Sequence, residues 1–297
     1  MLHHENAHPT APTRVVLLGG SGFIGRYLAA RLRREGVPVV APTSKEIDLS
    51  AGGAVGALRQ LVEPSDAVVF LAAFTPDRGK GLDTFMTNLR VADHVCAALA
   101  AVGPRHVIYL SSDAVYRDNE AFVDERTATD SMTLYGSMHA VRERMLQHAI
   151  GVLVPLAVAR PTLVFGHGDT HNSYGPNRFV RAALKDRRIL LFGGGEERRD
   201  HIYVEDVAWL LAQMLWRRSR GAINLVTGRS WSFHDVADRI AQLVGSGVTI
   251  EAVPRVPGSI SHRHFDPTVL LRAFPDVRLT SLEEGLARTL AASRVPA

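Results

Sequence analysis

The chain has 297 residues, of which 46% are hydrophobic and 22% are charged. This composition excludes a disordered, collagen-like or coiled-coil protein, and the length allows one large α/β domain or two smaller ones. The net charge is +4, and the short basic runs fall on amphipathic helical patterns. We therefore expect no nucleic-acid partner.

The apolar runs and the cysteine content limit the class of protein further. The longest apolar runs are too short to span a bilayer, and the first residues contain no apolar signal segment. We expect no membrane partner and a cytoplasmic location, with residues 1–13 forming a flexible polar tail. Cys96 is the single cysteine and lies in an apolar helical pattern, which excludes a disulfide framework and a cysteine-based metal site.

The first half of the chain alternates short apolar runs with helical patterns, which is typical of a parallel sheet built from βαβ units. The predicted strands are residues 14–18, 37–41, 67–72, 106–110 and 153–159, and the predicted helices are residues 23–35, 54–61, 84–102 and 131–150. Beyond residue 160, loops rich in Gly, Asn and His alternate with short predicted helices at residues 178–185, 204–215, 232–243 and 281–292. We predict an α/β fold, with a Rossmann-type, doubly wound parallel sheet in residues 14–160 and a smaller C-terminal substrate-binding lobe in residues 161–297. Whether the second lobe is interwoven with the first is left open.

A glycine-rich turn joins the first predicted strand to the first predicted helix. Gly19, Gly22 and Gly25 are spaced three residues apart. A dinucleotide needs such a turn, because the backbone must come close to the pyrophosphate and a helix N-terminus must face the anion. The turn therefore predicts a dinucleotide site, and the alternative is an ordinary strand-to-helix turn. The other predicted contacts in this turn are Ser21, Phe23 and Ile24.

The residues after the second predicted strand indicate which dinucleotide binds. Thr43, Ser44 and Lys45 lie there, and no carboxylate appears before Glu46. A 2′-phosphate favours cations and hydroxyls, whereas a free ribose hydroxyl favours a carboxylate. The sequence thus favours NADP and leaves NAD as the alternative. Further predicted cofactor contacts are Asp48 and Leu49, near the adenine, and Leu71, Ala72 and Ala73, at the end of the third strand.

A serine and a tyrosine follow at positions where ligands bind in open α/β sheets. Ser112 lies beyond the carboxyl end of the fourth predicted strand, and Tyr135 lies at the start of a predicted helix. His139 is one helical turn beyond Tyr135 and shares its face. Together with the glycine turn and the segments 111–116 and 199–206, these residues resemble the extended short-chain dehydrogenase/reductase family, in its NAD-dependent epimerase/dehydratase branch. That branch acts mostly on nucleotide-activated sugars.

The resemblance implies a role for each of these side chains. Tyr135 is then the general acid/base for a sugar hydroxyl or ketone, Ser112 hydrogen-bonds the same oxygen, and the nicotinamide exchanges the hydride. The family chemistry needs no metal, so we predict none. The resemblance implies substrate contacts for Thr75 in the sugar pocket, for Ser112 and Asp113, and for Asn177 and Arg199 at the nucleotide diphosphate. Arg263 is a further candidate that is left open, because its segment matches the family poorly. A helix cap is the alternative for Asn177.

His139 departs from the family pattern, which is Tyr-x-x-x-Lys. In the family that lysine holds the nicotinamide ribose and lowers the pKa of the tyrosine. The resemblance therefore implies that Tyr135 and His139 contact the cofactor and that His139 belongs to the catalytic set with Ser112 and Tyr135. Unperturbed pKa values are about 10 for Tyr and about 6.5 for His, so His139 is expected to be largely neutral at pH 7 and to help Tyr135 less. Three interpretations stay open: a histidine protonated by nearby phosphate and substrate charge, an easily reduced ketone as substrate, or binding without chemistry.

Two classes of function follow from these residues. The first is an NAD(P)-dependent enzyme that reduces a keto-sugar nucleotide, with a nucleotide-sugar 4-epimerase as the alternative. The second is a dinucleotide-binding regulatory protein with weakened chemistry, which the departure at His139 supports. A reductase of a non-sugar carbonyl compound would leave Arg199 and Asn177 without a diphosphate to bind. The expected partners are a nucleotide-diphosphate sugar and a second copy of the chain, paired through the helices 84–102 and 131–150.

Overall fold

The computed structural model describes residues 1–117, 119–256 and 261–294 as strands, helices and connecting loops. The strands in chain order are β1 (His3–His4), β2 (Val15–Leu18), β3 (Val39–Val40), β4 (Ala67–Phe70), β5 (His106–Leu110), β6 (Phe122–Val123), β7 (Leu156–Pro161), β8 (Leu163–Phe165), β9 (Arg188–Phe192), β10 (Arg198–Tyr203), β11 (Ser219–Leu225), β12 (Ser230–Ser232), β13 (Thr249–Val253) and β14 (His264–Phe265). The helices are α1 (Phe23–Arg34), α2 (Ala54–Leu61), α3 (Leu82–Val102), α4 (Leu134–Ala149), α5 (Pro176–Lys185), α6 (Val204–Trp216), α7 (Phe233–Val244), α8 (Thr268–Ala273) and α9 (Leu282–Arg294).

A seven-stranded sheet in the order β1-β11-β7-β5-β4-β2-β3 forms the centre of the molecule. All neighbouring strands are parallel except β1, which pairs with β11 in the antiparallel sense. Strands β2, β4 and β5 are fully buried, as expected for a parallel sheet that is covered on both faces by helices. Strand order reverses between β2 and β4, so a ligand crevice is expected at their carboxyl ends. The predicted Rossmann-type fold class is confirmed.

Helices on the two faces of the sheet bury two separate hydrophobic cores. On one face, α1 and α6 pack against each other, and Leu28 and Leu211 are completely buried there. On the other face, α2, α3 and α4 bury residues such as Val95 and Leu146 against the sheet. These two layers hold the loops at the carboxyl ends of the strands in fixed positions.

Part of the second half of the chain is interwoven with the first half, the arrangement that the sequence left open. Strand β11 returns to the main sheet beside β7, and α6 covers that sheet together with α1. The remaining segments form small sheets. Sheets β12-β10-β8 and β13-β9 lie around a third hydrophobic core, and β14-β6 contributes Val123 and Phe265 to a fourth. A single boundary at residue 160 is therefore too simple, because residues 204–225 belong to the first lobe by their contacts.

The N-terminal segment is attached to the sheet, which corrects the prediction of a flexible tail over residues 1–13. His3 and His4 pair with Arg220 and Ser219 at the edge of β11. The His4 ring lies 2.8 Å from the Ser219 hydroxyl and 2.9 Å from the Ala273 carbonyl oxygen. Polar side chains with such partners are held in place although their sequence pattern is that of a loop.

No helix within the described ranges is long and apolar enough to cross a membrane.

Candidate active site

The glycine turn between β2 and α1 is shaped to receive an anion. Gly19 has a φ of +98°, and a Cβ atom there would lie 2.7 Å from the Ala72 nitrogen. A Cβ atom at Gly25 would collide with the Gly19 carbonyl oxygen. Gly22 is the N-cap of α1, and within the described residues no side chain caps it and no acidic residue lies in the first turn. The positive end of the helix dipole is thus available, and the turn fits the pyrophosphate of a dinucleotide.

A cavity of about 520 Å³ extends from this turn across the carboxyl ends of β2, β4 and β5. Its wall contains most of the predicted site residues. They are Gly19, Ser21, Gly22, Phe23, Ile24, Gly25, Ser44, Asp48, Leu49, Leu71, Ala72, Ala73, Thr75, Ser112, Asp113, Tyr135, His139 and Asn177. The fold therefore brings the glycine turn and the Ser112–Tyr135 pair to one cavity, although they are distant in sequence.

Tyr135 reaches this cavity because the start of α4 is fixed by its cap and by a glycine. The Thr133 hydroxyl accepts a hydrogen bond of 3.1 Å from the Gly136 nitrogen and so caps the helix. Gly136 in turn packs so closely against the Ala114 carbonyl oxygen that a Cβ atom there would collide with it. This close approach puts the first turn of α4 beside the loop that carries Ser112.

The environment of Tyr135 keeps its phenol protonated. Burial raises the pKa of Tyr135 to about 12, and the Asp113 carboxylate acts in the same direction. The Arg142 guanidinium and the Ser112 hydroxyl act in the opposite direction. Ser112 is itself oriented by the turn, since its Oγ accepts a hydrogen bond of 3.1 Å from the Ala114 nitrogen. The pair can therefore donate hydrogen bonds to one oxygen atom of a ligand.

His139 is a buried, neutral histidine. Its ring is 2% exposed, and Nδ1 shares a hydrogen bond of 2.7 Å with the Tyr109 hydroxyl. Burial, reinforced by the Arg142 charge, lowers the pKa of His139 to about 3. Its Nε2 atom has no hydrogen-bond partner in the described parts of the chain. The surroundings within the chain therefore favour the neutral form of His139, and its protonation under the first of the three interpretations depends on the charges of bound phosphate and substrate.

Four predicted site residues lie outside the cavity wall. Thr43 donates hydrogen bonds to the Glu46 carboxylate from its backbone nitrogen and its hydroxyl, and Lys45 is exposed. The Arg199 guanidinium binds the Glu197 carboxylate and donates to the Ser261 carbonyl oxygen at 2.6 Å. Buried Arg263 donates to the Arg117 carbonyl oxygen at 2.6 Å. These four side chains are used within the protein or face solvent.

Asn177 lies in the cavity wall but fixes a loop of the protein. Its Nδ2 donates to Asp169 at 2.9 Å, and its Oδ1 accepts from the Gly166 nitrogen at 3.0 Å. Gly175 is the N-cap of α5, so the helix-cap alternative for Asn177 is wrong. Asp169 is thereby engaged by an amide, and the described residues contain no cluster of three potential metal ligands.

The same loop is tied to α1 from the other side of the cavity. Arg26 Nη2 donates to the Gly168 carbonyl oxygen at 2.7 Å, and the Tyr27 hydroxyl donates to the His167 carbonyl oxygen at 3.0 Å. Arg26 follows the last glycine of the turn, so the helix that faces the anion also holds the loop opposite it.

Several residues of the site were not predicted from the sequence, among them Arg78, Asn88 and Arg142. Arg78, in the loop after β4, lines the cavity, and Asn88 and Arg142 hold that loop from behind. An arginine seven residues after Tyr135, on the face that also carries His139, was the available signal. The burial of Arg142 depends on the packing of α3 against α4, and no local sequence pattern indicates that packing.

Comparison with known proteins identifies the family. The model of the NAD dependent epimerase/dehydratase family matches residues 15–225 of this chain, which is more than half of its length. The chain belongs to the NAD-dependent epimerase/dehydratase family. The match covers the glycine turn, Ser112 and Tyr135, so the predicted resemblance is confirmed on the segment that carries the site. A nicotinamide dinucleotide is accordingly the cofactor class of this family member.

The proteins to which this chain is similar carry different names and activities. The UDP-N-acetyl-α-D-glucosaminuronate decarboxylase of Bacillus cytotoxicus is 27% identical over 273 residues, which cover 81% of this chain and 83% of the relative. A UDP-glucose 4-epimerase of Thermus thermophilus in complex with NAD has a TM-score of 0.82, with 22% identity over 95% of this chain and 99% of that one. A GDP-L-fucose synthetase of Naegleria fowleri bound to NADP has a TM-score of 0.84, with 18% identity over 96% of both chains. At these identities the structural likeness establishes the fold.

Proposed function

We propose that this chain is an NAD(P)-dependent enzyme that reduces a keto-sugar nucleotide. The observation that carries the proposal is one cavity with the glycine turn at one end and the Ser112–Tyr135 pair at the other. A ketone oxygen between these two hydroxyls would accept a hydrogen bond from each of them. Tyr135 would then give its proton to that oxygen as the carbon is reduced. The nicotinamide of the bound cofactor supplies the hydride.

The choice of reduction rests on the adenosine end of the cavity. Pro42 and Ser44 line the cavity there, whereas Glu46 does not. Asp48 is a carboxylate in this part of the wall, and it accepts hydrogen bonds from the Ser50 nitrogen and hydroxyl. The wall residues directly after β3, Pro42 and Ser44, carry no carboxylate and are compatible with a 2′-phosphate, so NADP is the proposed cofactor and NAD the alternative. NADP favours net reduction, because an epimerase regenerates its nicotinamide in every cycle. Dehydration is disfavoured, since Asp113 is followed by Ala114 and not by a second acid.

Epimerisation is the second candidate reaction. The UDP-glucose 4-epimerase from Thermus thermophilus shares the fold of this chain. The same Ser112–Tyr135 pair would serve an epimerase, because the proton moves in both directions during its cycle. A regulatory dinucleotide-binding protein stays the third candidate, supported by the neutral state of His139.

Thermal unfolding with paired ligands tests the proposal. NAD, NADP and a panel of nucleoside diphosphates are added singly and in pairs, and the free energy of unfolding is measured. A ligand at about 100 times its Kd adds about 2.7 kcal/mol if it binds only the folded state. Stabilisation by one dinucleotide and one nucleoside diphosphate supports a sugar-nucleotide enzyme and identifies the keto sugars to assay. Stabilisation by a dinucleotide alone favours the regulatory candidate, and no stabilisation contradicts the proposal.

We also propose a homodimer, paired through α3 and α4. Most apolar residues of these helices are buried inside the chain, which leaves a narrower apolar surface than their sequences indicate. Leu82 and Met86 on α3 and Leu134 on α4 stay exposed, at 66%, 53% and 40%. These three side chains form the apolar part of the proposed contact.

A further inference from the structure

Arg142 is a completely buried cation on the helix that carries Tyr135. It has no solvent exposure, and its guanidinium donates to uncharged oxygen atoms. Nη1 donates to the Ala72 carbonyl oxygen at 2.8 Å, and Nη2 donates to the Asn88 carbonyl oxygen at 2.7 Å and to its Oδ1 at 3.0 Å. Since these acceptors are neutral, they solvate the charge without cancelling it.

The described residues contain no carboxylate paired with Arg142. The adjacent Glu143 binds Arg160 instead, with Nη2 and Oε2 2.6 Å apart. A buried charge without a counter-ion is costly, and its field reaches further in a low-dielectric interior than it would in water. The groups that feel this field are therefore the ones packed beside Arg142.

The groups packed beside Arg142 form a series of contacts that ends at Tyr135, the proposed acid. Tyr135, His139 and Arg142 are spaced i, i+4 and i+7 and so share one face of α4. Arg142 lies over the Phe70 ring at 5.0 Å, and the rings of Tyr109 and His139 continue the contact to Tyr135. His139 and Tyr135 are in edge-to-face contact, with ring centroids 4.7 Å apart.

The charged and polar groups around the Tyr135 phenol divide into two sets. Asp113, from the turn after β5, and Asp77, from the loop after β4, oppose its ionisation, as burial does. Arg142, from α4 itself, and the Ser112 hydroxyl favour it. His139 contributes no charge, because burial lowers its pKa to about 3. Among these groups of the described chain, Arg142 is the cation.

We infer that Arg142 supplies the fixed positive charge that prepares Tyr135 to lose and regain its proton, the task that resemblance to the family assigns to a lysine at position 139. The charge has moved one helical turn along the same face, and a neutral histidine occupies the vacated position. Arg142 is a positioning residue, since its guanidinium touches neither Tyr135 nor the cavity. This inference rests on the proposed function, because it concerns the acid of that reaction.

The test reads the ionisation of Tyr135 directly and needs no substrate. Tyr135 is replaced by 3-fluorotyrosine, whose phenol ionises at lower pH than tyrosine, and its fluorine resonance is followed against pH with and without NADP. In Arg142→Met we expect the pKa at position 135 to rise by about one unit or more, so that tyrosinate becomes about tenfold rarer. Arg142→Lys is expected to stay close to the unmodified chain. The matched control is Arg59→Met, which removes an exposed arginine on α2.

The double variant His139→Lys/Arg142→Met separates charge from packing. It returns a cation to the same face of α4 and removes the guanidinium, so the pKa at position 135 is expected to return toward that of the unmodified chain. If Arg142→Met leaves this pKa unchanged and lowers only thermal stability, Arg142 is a structural residue and the inference is wrong. If Arg142→Met does not fold, the test rests on Arg142→Lys, and a raised pKa at position 135 in that variant is the contradicting result. Failure of the proposed function alone would appear as normal titrations without turnover of any keto-sugar nucleotide.

Discussion

Tyr135 is the residue on which turnover depends in the proposed reaction. Tyr135→Phe removes one hydroxyl and keeps the ring contact with His139. We expect turnover of a keto-sugar nucleotide to fall by about 10²–10⁴-fold, because the ketone oxygen loses its proton donor. Dinucleotide binding is expected to be preserved, since the glycine turn is untouched. Cofactor consumption under saturating substrate and a dinucleotide titration by fluorescence measure the two quantities.

The two readouts for Tyr135→Phe also separate the candidate functions. Turnover that survives the substitution would mean that another group donates the proton, and the assignment of Tyr135 would be wrong. Loss of cofactor binding together with turnover would mean that the phenol has a structural role.

The position of a single residue was predictable from the sequence where it depends on a short segment of chain, whereas the role of that residue stays a prediction. Ser112 follows β5 and Tyr135 begins α4, and both positions are set by short segments of chain. Arg199 and Arg263 were assigned to the substrate, but the structure engages them with Ser261 and Arg117. Such partners are distant in sequence or depend on the course of a loop, so no motif indicates that the side chain is already hydrogen-bonded within the protein.

At the scale of elements, the geometry of the glycine turn predicts how a substitution there changes dinucleotide affinity. In Gly25→Ala the new methyl group meets backbone atoms of Gly19 and Gly20, which cannot move without opening the turn. We expect dinucleotide affinity to fall by at least about tenfold, which corresponds to about 1.4 kcal/mol, because the backbone donors lose their alignment. A dinucleotide titration measures the loss.

Gly56→Ala is the matched control for this prediction. Gly56 is exposed in the middle of α2, and a Cβ atom there meets nothing within 4 Å. The substitution is expected to leave binding unchanged and to stabilise the chain by about 0.4–1 kcal/mol, by restricting the unfolded chain. Equal effects of both alanines on dinucleotide binding would contradict the role given to the turn.

Eight of the nine described helices were predicted to within a few residues, whereas α8 and the short strands were not. Helix α7 was predicted over residues 232–243 and is observed from Phe233 to Val244, with Ser232 as its N-cap. Strand β3 has two residues where five were predicted, because it is an edge strand with a single neighbour. Strand β1 was missed because two histidines carry no alternating pattern, and only their partners on β11 and α8 hold them.

At the scale of the whole molecule, buried histidines make stability depend on pH. Burial lowers the folded-state pKa of His106 to about 4 and of His139 and His201 to about 3, against 6.5 in the unfolded chain. Below pH 6.5 the histidines of the unfolded state therefore bind protons that the same histidines do not bind in the folded state. The stabilisation is complete above pH 6.5 and is lost as pH falls toward 3, at about 1.4 kcal/mol per pH unit for each histidine. Denaturant unfolding at pH 7 and pH 5 measures the loss.

His201→Phe isolates one of these three contributions. Both ring nitrogens of His201 lack partners among the described residues, and the ring packs near Phe233. Phenylalanine removes the titrating group, so the loss between pH 7 and pH 5 is expected to be about 2 kcal/mol smaller than in the unmodified chain. Asp200 acts in the opposite direction, since burial raises its pKa to about 6, but it is present in both proteins and cancels in the comparison. An identical loss in both proteins would contradict the account.

The hydrogen bonds from Arg26 and Tyr27 to residues 167–168 make the two halves of the cavity thermodynamically dependent on each other. Helix α1 presents its N-terminus to the proposed dinucleotide, and the loop it holds continues through Asp169 and Asn177 along the opposite wall. A ligand that immobilises α1 also immobilises that loop, so part of the ordering cost of the second ligand is already met. Thermodynamic linkage makes such an effect reciprocal. We therefore expect a nucleoside diphosphate to tighten dinucleotide binding by the same factor by which the dinucleotide tightens the binding of the nucleoside diphosphate.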